Sequence, residues 1–177
     1  MLKPVKTKTV RVGGGTFAIV ASRYNARYVD AMVRAAHAEL KRAKASRVRV
    51  VRVPGAYEIP LVAGSLARAS RLAARAPLSA IICLGVILRG ETVHAAHIGD
   101  AVSRALMQIQ LDYGVPVIHE VLLLENEEQA RVRCLGRKHN RGREAAQTAI
   151  AMAKVMTKAP FQRWTPASSP NTGSSLG

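Results

Sequence analysis

The stretch Ser79 to Val86 is a nearly continuous apolar run of strand length. A strand apolar on both sides must be covered on both faces, so this segment calls for helices above and below a parallel sheet. The flanking sequence supplies them. Thr16 to Ala21 is a second compact apolar strand. Arg47 to Val53 alternates valines with arginines and stops at Pro54-Gly55. Val115 to Leu124 reads as a further strand, with Pro116 tolerable near its start. Thr7 to Val12 reads as a short first strand before the Gly13-Gly14-Gly15 turn.

Helical patterns separate these runs. Asn25 to Lys44 carries Val29, Met32, Val33, Ala36 and Leu40 at helical spacing, with Asn25 placed as N-cap. Ile59, Val62, Leu66 and Ala69 mark a helix ending before Pro77. Ile98, Val102, Ala105 and Ile109 mark one ending near Gly114. Glu127 to Cys134 reads as a short helix and Gly142 to Lys158 as a longer one. Strands joined by single helices make right-handed βαβ units, hence an α/β fold with a mainly parallel sheet. Pro160 to Gly177 has the composition of a flexible tail.

At 177 residues the chain suits one domain with a real core. Lys and Arg outnumber Asp and Glu by 27 to 11, a net charge of +16. The excess invites a polyanion reading. However, the arginines are spread over alanine-rich helices, no basic cluster interleaves with aromatics, and no nucleic-acid motif is present. Nucleic acid is therefore not the expected partner. Cys83 and Cys134 lack metal-ligand spacing. Met1 to Thr9 is basic without the apolar core of a signal peptide, and no apolar run reaches membrane-spanning length. The expectation is a reduced, cytoplasmic protein with no membrane partner.

Open parallel sheets bind ligands beyond the carboxyl ends of their strands. Here those exits are Ser22 to Asn25, Pro54 to Glu58, Gly85 to His94 and the region after His119. Tyr24 can stack on a flat heterocycle or simply cover a helix end. In Pro54-Gly55-Ala56-Tyr57-Glu58-Ile59-Pro60, two prolines stiffen a turn. Glu58 there can accept hydrogen bonds from ligand hydroxyls or complement a helix dipole. Arg89-Gly90-Glu91-Thr92-Val93-His94 joins an apolar strand to a helix. Free amides and the Thr92 hydroxyl can cradle a phosphate there. His94 supplies an imidazole for proton transfer or is a helix-surface histidine. His94 and His97 have metal-compatible spacing, but no third ligand is indicated. Arg131 and Arg133 can present a guanidinium fork to a phosphate or line a solvated face.

The segments Ser22-Arg23-Tyr24-Asn25, Val53 to Pro60, Leu84 to His94, Gly114 to Val117, Glu125 to Ala130 and Asn140-Arg141-Gly142 follow in that order. Over roughly residues 8 to 158 the chain resembles the 6,7-dimethyl-8-ribityllumazine synthases, which catalyse the penultimate step of riboflavin biosynthesis. The resemblance implies a three-layer αβα sandwich with a four-stranded sheet in flavodoxin-like order. Residues 1–15 would form an arm whose short strand joins a neighbouring subunit, 16–158 the catalytic domain and 159–177 the tail. The implied reaction condenses 5-amino-6-(D-ribitylamino)uracil with 3,4-dihydroxy-2-butanone 4-phosphate, without metal or other cofactor. By the resemblance, Tyr24 stacks on the pyrimidine, and Ala56, Tyr57 and Glu58 hold the pyrimidine and its ribityl chain. The backbone of Val86, Ile87 and Leu88 reads the ring edge. Glu91 and Thr92 meet the phosphate, Gly90 makes room, Arg133 pairs with it, and His94 donates the proton. Asn25 and Arg141 are secondary. His119 is lent by the adjacent subunit. The implied partners are small-molecule substrates and further copies of the chain. These make at least a pentamer, with an icosahedral 60-subunit capsid as the larger form. Association with riboflavin synthase is left open.

The chain departs from the family's usual pattern at several places. His119 stands where a large aromatic is usual, and Ala95-Ala96-His97-Ile98 where aromatic and acidic residues are common. Arg141 replaces a frequent lysine, and Arg137 to His139 a small, glycine-containing loop. These departures keep a second reading in view, a non-catalytic container of the same fold that binds a flavin or a polyanion. A monomeric flavin electron carrier fits less well, since such carriers are typically acidic.

Overall fold

The computed structural model describes residues 14–73, 77–136 and 139–158. The expected strand at Thr7 to Val12 and the C-terminal tail lie outside them. Four strands, β1 (Thr16–Ser22), β2 (Arg47–Val53), β3 (Leu78–Leu88) and β4 (Val117–Leu124), form one parallel sheet in the order β2-β1-β3-β4. The helices are α1 (Ala26–Arg42), α2 (Ile59–Leu72), α3 (His94–Tyr113), α4 (Glu127–Ala130) and α5 (Arg141–Met156), with a π-helical turn at Arg131–Leu135.

The expected alternation of apolar runs puts β1 and β3 at the centre, buried on both faces. On one face Phe17, Ile19, Ala21, Ile82 and Leu84 meet Val29, Met32, Ala36 and Leu40 of α1 and the alanines of α5. On the other, Ala18, Val20, Ile81 and Cys83 meet Ile59, Ala63 and Ala67 of α2 and Val102 and Leu106 of α3. The result is the αβα sandwich in flavodoxin-like order. Ala145, Ala146 and Ala149 allow close approach of α5 to α1, and a side chain at Gly142 would collide with the Met32 carbonyl.

Several local expectations change. On α2 the buried stripe is Ile59, Ala63, Ala67 and Ser70, not Ala69, which is exposed. Ser70 can sit inside because its hydroxyl accepts the Leu78 N–H at 2.7 Å. β3 runs on to Leu88, two residues past the expected end at Val86, with Gly85 inside it. The missing side chain makes room for Val121 and Ile59, whose atoms would lie 3.1 and 3.3 Å from a Cβ there. The helix expected over Glu127 to Cys134 opens into the π turn after Ala130.

Candidate active site

The chain order reverses between β1 and β3, and a cavity of about 860 Å³ opens there, beyond the strands' carboxyl ends. Backbone bonds join two of its loops. The Arg23 and Tyr24 N–H groups donate to the Pro54 carbonyl at 3.1 Å, and Arg23 N–H also donates to the Val53 carbonyl at 2.8 Å. Tyr24 lies against Gly55, where a Cβ would stand 3.1 Å from the phenol ring. Glu58 accepts the Gly55 N–H at 2.8 Å, so its carboxylate closes the turn instead of capping α2. Ala56 and Tyr57 complete this wall. The Tyr24 and Tyr57 rings are 71% and 64% exposed, an apolar area that a flat ligand would cover.

The second wall is the end of β3. Pairing with β1 stops at Leu84, so the β1-facing backbone of Val86 to Leu88 has no strand partner among the described residues. Asn25 takes part of this edge: its Nδ2 donates to the Val86 carbonyl at 2.8 Å. That contact corrects the expected N-cap. Asn25 occupies the cap position in a left-handed conformation (φ 56°), but its amide is spent on β3 rather than on α1. The second lone pair of the Val86 carbonyl stays free for a ligand.

The third wall is the start of α3. His94, its first residue, lines the cavity together with His97, Ile98 and Ala101. Gly90, Glu91 and Thr92 lie in the exposed loop linking the lining residues Leu88 and His94. Among the described residues no side chain caps α3; the Ala96 N–H donates to the Val93 carbonyl at 3.0 Å, which leaves the amides before it uncapped and available to an anion. Arg89 is not part of this cradle. Its guanidinium bonds both Glu125 oxygens, at 3.1 and 3.2 Å. Among the described residues no three His, Cys, Asp or Glu side chains converge as a metal site.

Six expected site residues do not line the cavity of their own chain: Gly90, Glu91 and Thr92, in the loop between Leu88 and His94, and His119, Arg133 and Arg141, which lie elsewhere. His119 is exposed on the edge strand β4. Its Nδ1 accepts the Val121 N–H at 3.2 Å and its Nε2 lies 2.8 Å from Ser103 Oγ. Those roles, assigned from the network, are those of a neutral ring. Partial burial also lowers its pKa below the usual histidine value. Arg133 projects from the π turn and is exposed. Arg141 opens α5 and forms ion pairs with Glu120 and Glu144 at 2.9 and 2.8 Å. One subunit therefore gathers Tyr24, Asn25, Ala56, Tyr57, Glu58, Val86, Ile87, Leu88 and His94, and holds His119, Arg133 and Arg141 elsewhere.

The sequence reading passed over Ile98 and Ala101 as cavity walls. The signal was helical period, since they fall one turn beyond His94 and His97. It also passed over Glu120, an acidic residue at an inward position of β4. The assembled cavity offers rings for stacking, an open strand edge for hydrogen bonds, uncapped amides for an anion and an imidazole for proton transfer.

Known proteins similar to this chain share one description. The profile of the family described as 6,7-dimethyl-8-ribityllumazine synthase matches residues 14–157. A protein of that name from Stenotrophomonas maltophilia (strain R551-3) is 42% identical over 146 residues, covering 81% of this chain and 90% of its own. One from Xylella fastidiosa (strain M12) is 41% identical over 153 residues, covering 85% and 96%. One from Xanthomonas campestris pv. campestris (strain B100) is 40% identical over 146 residues, covering 81% and 91%.

Proposed function

We infer the function from one premise: this chain belongs to the 6,7-dimethyl-8-ribityllumazine synthase family. It is a transferase of riboflavin biosynthesis. It condenses 5-amino-6-(D-ribitylamino)uracil with 3,4-dihydroxy-2-butanone 4-phosphate to give 6,7-dimethyl-8-ribityllumazine, phosphate and water.

Our assignment of roles rests on four separated segments converging on one cavity. Tyr24 stacks on the pyrimidine. The free edge of Val86, Ile87 and Leu88 reads the ring, while Ala56, Tyr57 and Glu58 hold the ring and ribityl chain. The substrate amine attacks the butanone carbonyl to form an imine. The uncapped start of α3, with Gly90, Glu91 and Thr92, orients the phosphate as it departs. His94 passes the protons that imine formation, phosphate loss and ring closure require. Asn25 holds the β3 edge in place. The catalytic domain spans 16–158, a span supported by the family match over 14–157, with an arm before it and a tail after it.

Arg133, Arg141 and His119 act in the cavity of an adjacent copy, Arg133 and Arg141 on the phosphate and His119 beside the pyrimidine. An oligomer of at least pentameric size, extending to a 60-subunit shell, is the setting in which they reach it. Exposed Leu61, Met107, Leu111, Leu123 and Val132 on α2, α3, β4 and the π turn are apolar surface that such neighbours would cover. The reaction is placed in the cytoplasm, where the buried free thiols Cys83 and Cys134 stay reduced. No helix among the described residues is long and apolar enough to cross a membrane.

The test is direct. Purified protein given both substrates produces a fluorescent lumazine. No product at high enzyme concentration overturns the assignment.

A further inference from the structure

Glu120 occupies an inward position of β4, on the side that Ile118 and Leu122 bury against the core. It is 7% exposed. Its carboxylate accepts from Arg141 Nε at 2.9 Å and lies 2.9 Å from Nη2, a side-on bidentate pair. Arg141 Nη1 donates to Glu144 at 2.8 Å. Three of the five guanidinium N–H groups are thus committed and two remain for another acceptor. The charged and titratable groups facing Glu120 are Arg141 and Glu144 from α5, and Arg133 with the Cys134 thiol from the π turn. A buried carboxylate is therefore bonded to one of the two arginines assigned above to a phosphate and feels the charge of the other.

We propose that Glu120 is a positioning residue for phosphate recognition: it holds Arg141 in place and, through its own charge, sets how tightly Arg133 and Arg141 grip a phosphate dianion. This rests on the reading that these arginines meet the phosphate of the butanone substrate. Ionised Glu120 offsets part of their positive field and competes for the same donors. Protonated Glu120 leaves that field to the dianion. Burial, opposed by Arg141, pushes the Glu120 pKa up to about 7, so the change falls within the working range of pH. A bound dianion raises that pKa further, and substrate binding takes up a proton that phosphate release returns.

The test uses the assembled enzyme and Glu120→Gln, which keeps the shape and removes the charge. KM for the phosphate substrate is measured from pH 6 to 8.5. The ratio of wild-type to variant KM cancels the substrate's own ionisation. The ratio rises roughly five- to tenfold across this range, with KM moving more than kcat and the pyrimidine KM unmoved. A flat ratio overturns the proposal. Wild-type protein alone gives a second readout: infrared difference spectra on adding sulfate at pH 7 gain a protonated carboxyl band, and its absence overturns proton uptake. Arg133→Ala assayed alongside separates the premises. A flat ratio beside a raised Arg133→Ala KM rejects the role of Glu120 alone. An Arg133→Ala KM equal to wild type rejects the phosphate site itself.

Discussion

His94 and Arg133, the residues proposed to carry the chemistry, stand in different places: one opens α3 inside the cavity, the other is on the π turn outside it. His94→Ala is expected to leave assembly intact and to slow turnover by less than the roughly 10²–10⁴-fold typical of a lost general acid, because imine chemistry proceeds slowly unaided. Steady-state kinetics beside a mass measurement checks both halves. Arg133→Ala is expected to raise KM for the phosphate substrate roughly tenfold or more, the loss of a charge-assisted contact, with a smaller change in kcat. Glu120 makes a separate prediction about stability. Its pKa rises from 4.5 to about 7 on folding, so between these values the folded chain holds a proton that the unfolded chain has released. That contribution is complete below pH 4.5 and is lost as pH rises through 7, amounting to about 3 kcal/mol per subunit over the window. Urea midpoints at pH 5 and pH 8, at fixed protein concentration, fall in that order for the wild type and differ less for Glu120→Gln.

The elements carry the site through their ends. Asn140 shows this most clearly: its Oδ1 accepts the Gly142 and Arg143 N–H groups at 3.0 and 3.3 Å, and its Nδ2 donates to the Cys134 carbonyl. One buried amide thus starts α5, ends the π turn and orients the segments bearing Arg133 and Arg141. Asn140→Ala is expected to destabilise the fold by about 1–3 kcal/mol and to raise KM for the phosphate substrate; thermal unfolding and kinetics together check it. Helix periods were legible because burial follows them, as in the buried Val29, Met32, Ala36 and Leu40 of α1. Strand β2 has the expected bounds, Arg47 to Val53, but its burial does not follow the alternation, with Val50 exposed and Arg52 half-buried. The extension of β3 to Leu88 was hidden because Ile87 and Leu88 run directly into the polar Arg89-Gly90 turn, while Gly85 inside the strand serves packing against Ile59 and Val121. The π turn was hidden because the Cys134 carbonyl finds its partner in Asn140, a contact that no local spacing encodes. The cavity residues at the strand exits were legible, since a parallel sheet directs ligands there, whereas Ile98 and Ala101, one turn further along α3, were not. The Glu120–Arg141 pair was not, because it joins β4 to α5 across 21 residues of sequence.

At the scale of the molecule, one folded chain holds half of the proposed site and offers the other half outward. Among the described residues the sheet ends at β2 and β4, each paired on one side. His119 is exposed on one of them, and the exposed Arg133 stands on the turn that follows it. The central claim is that each cavity is completed by a neighbour. Complementation tests it most directly. The impaired His94→Ala and Arg133→Ala proteins are unfolded together, mixed in equal amounts and reassembled, and lumazine formation is measured at a phosphate-substrate concentration well below KM. In a head-to-tail ring about a quarter of the sites then combine an intact His94 from one subunit with an intact Arg133 from the next. The account predicts activity near that fraction of wild type, well above either variant reassembled alone. Activity no higher than the mean of the two variants would contradict it.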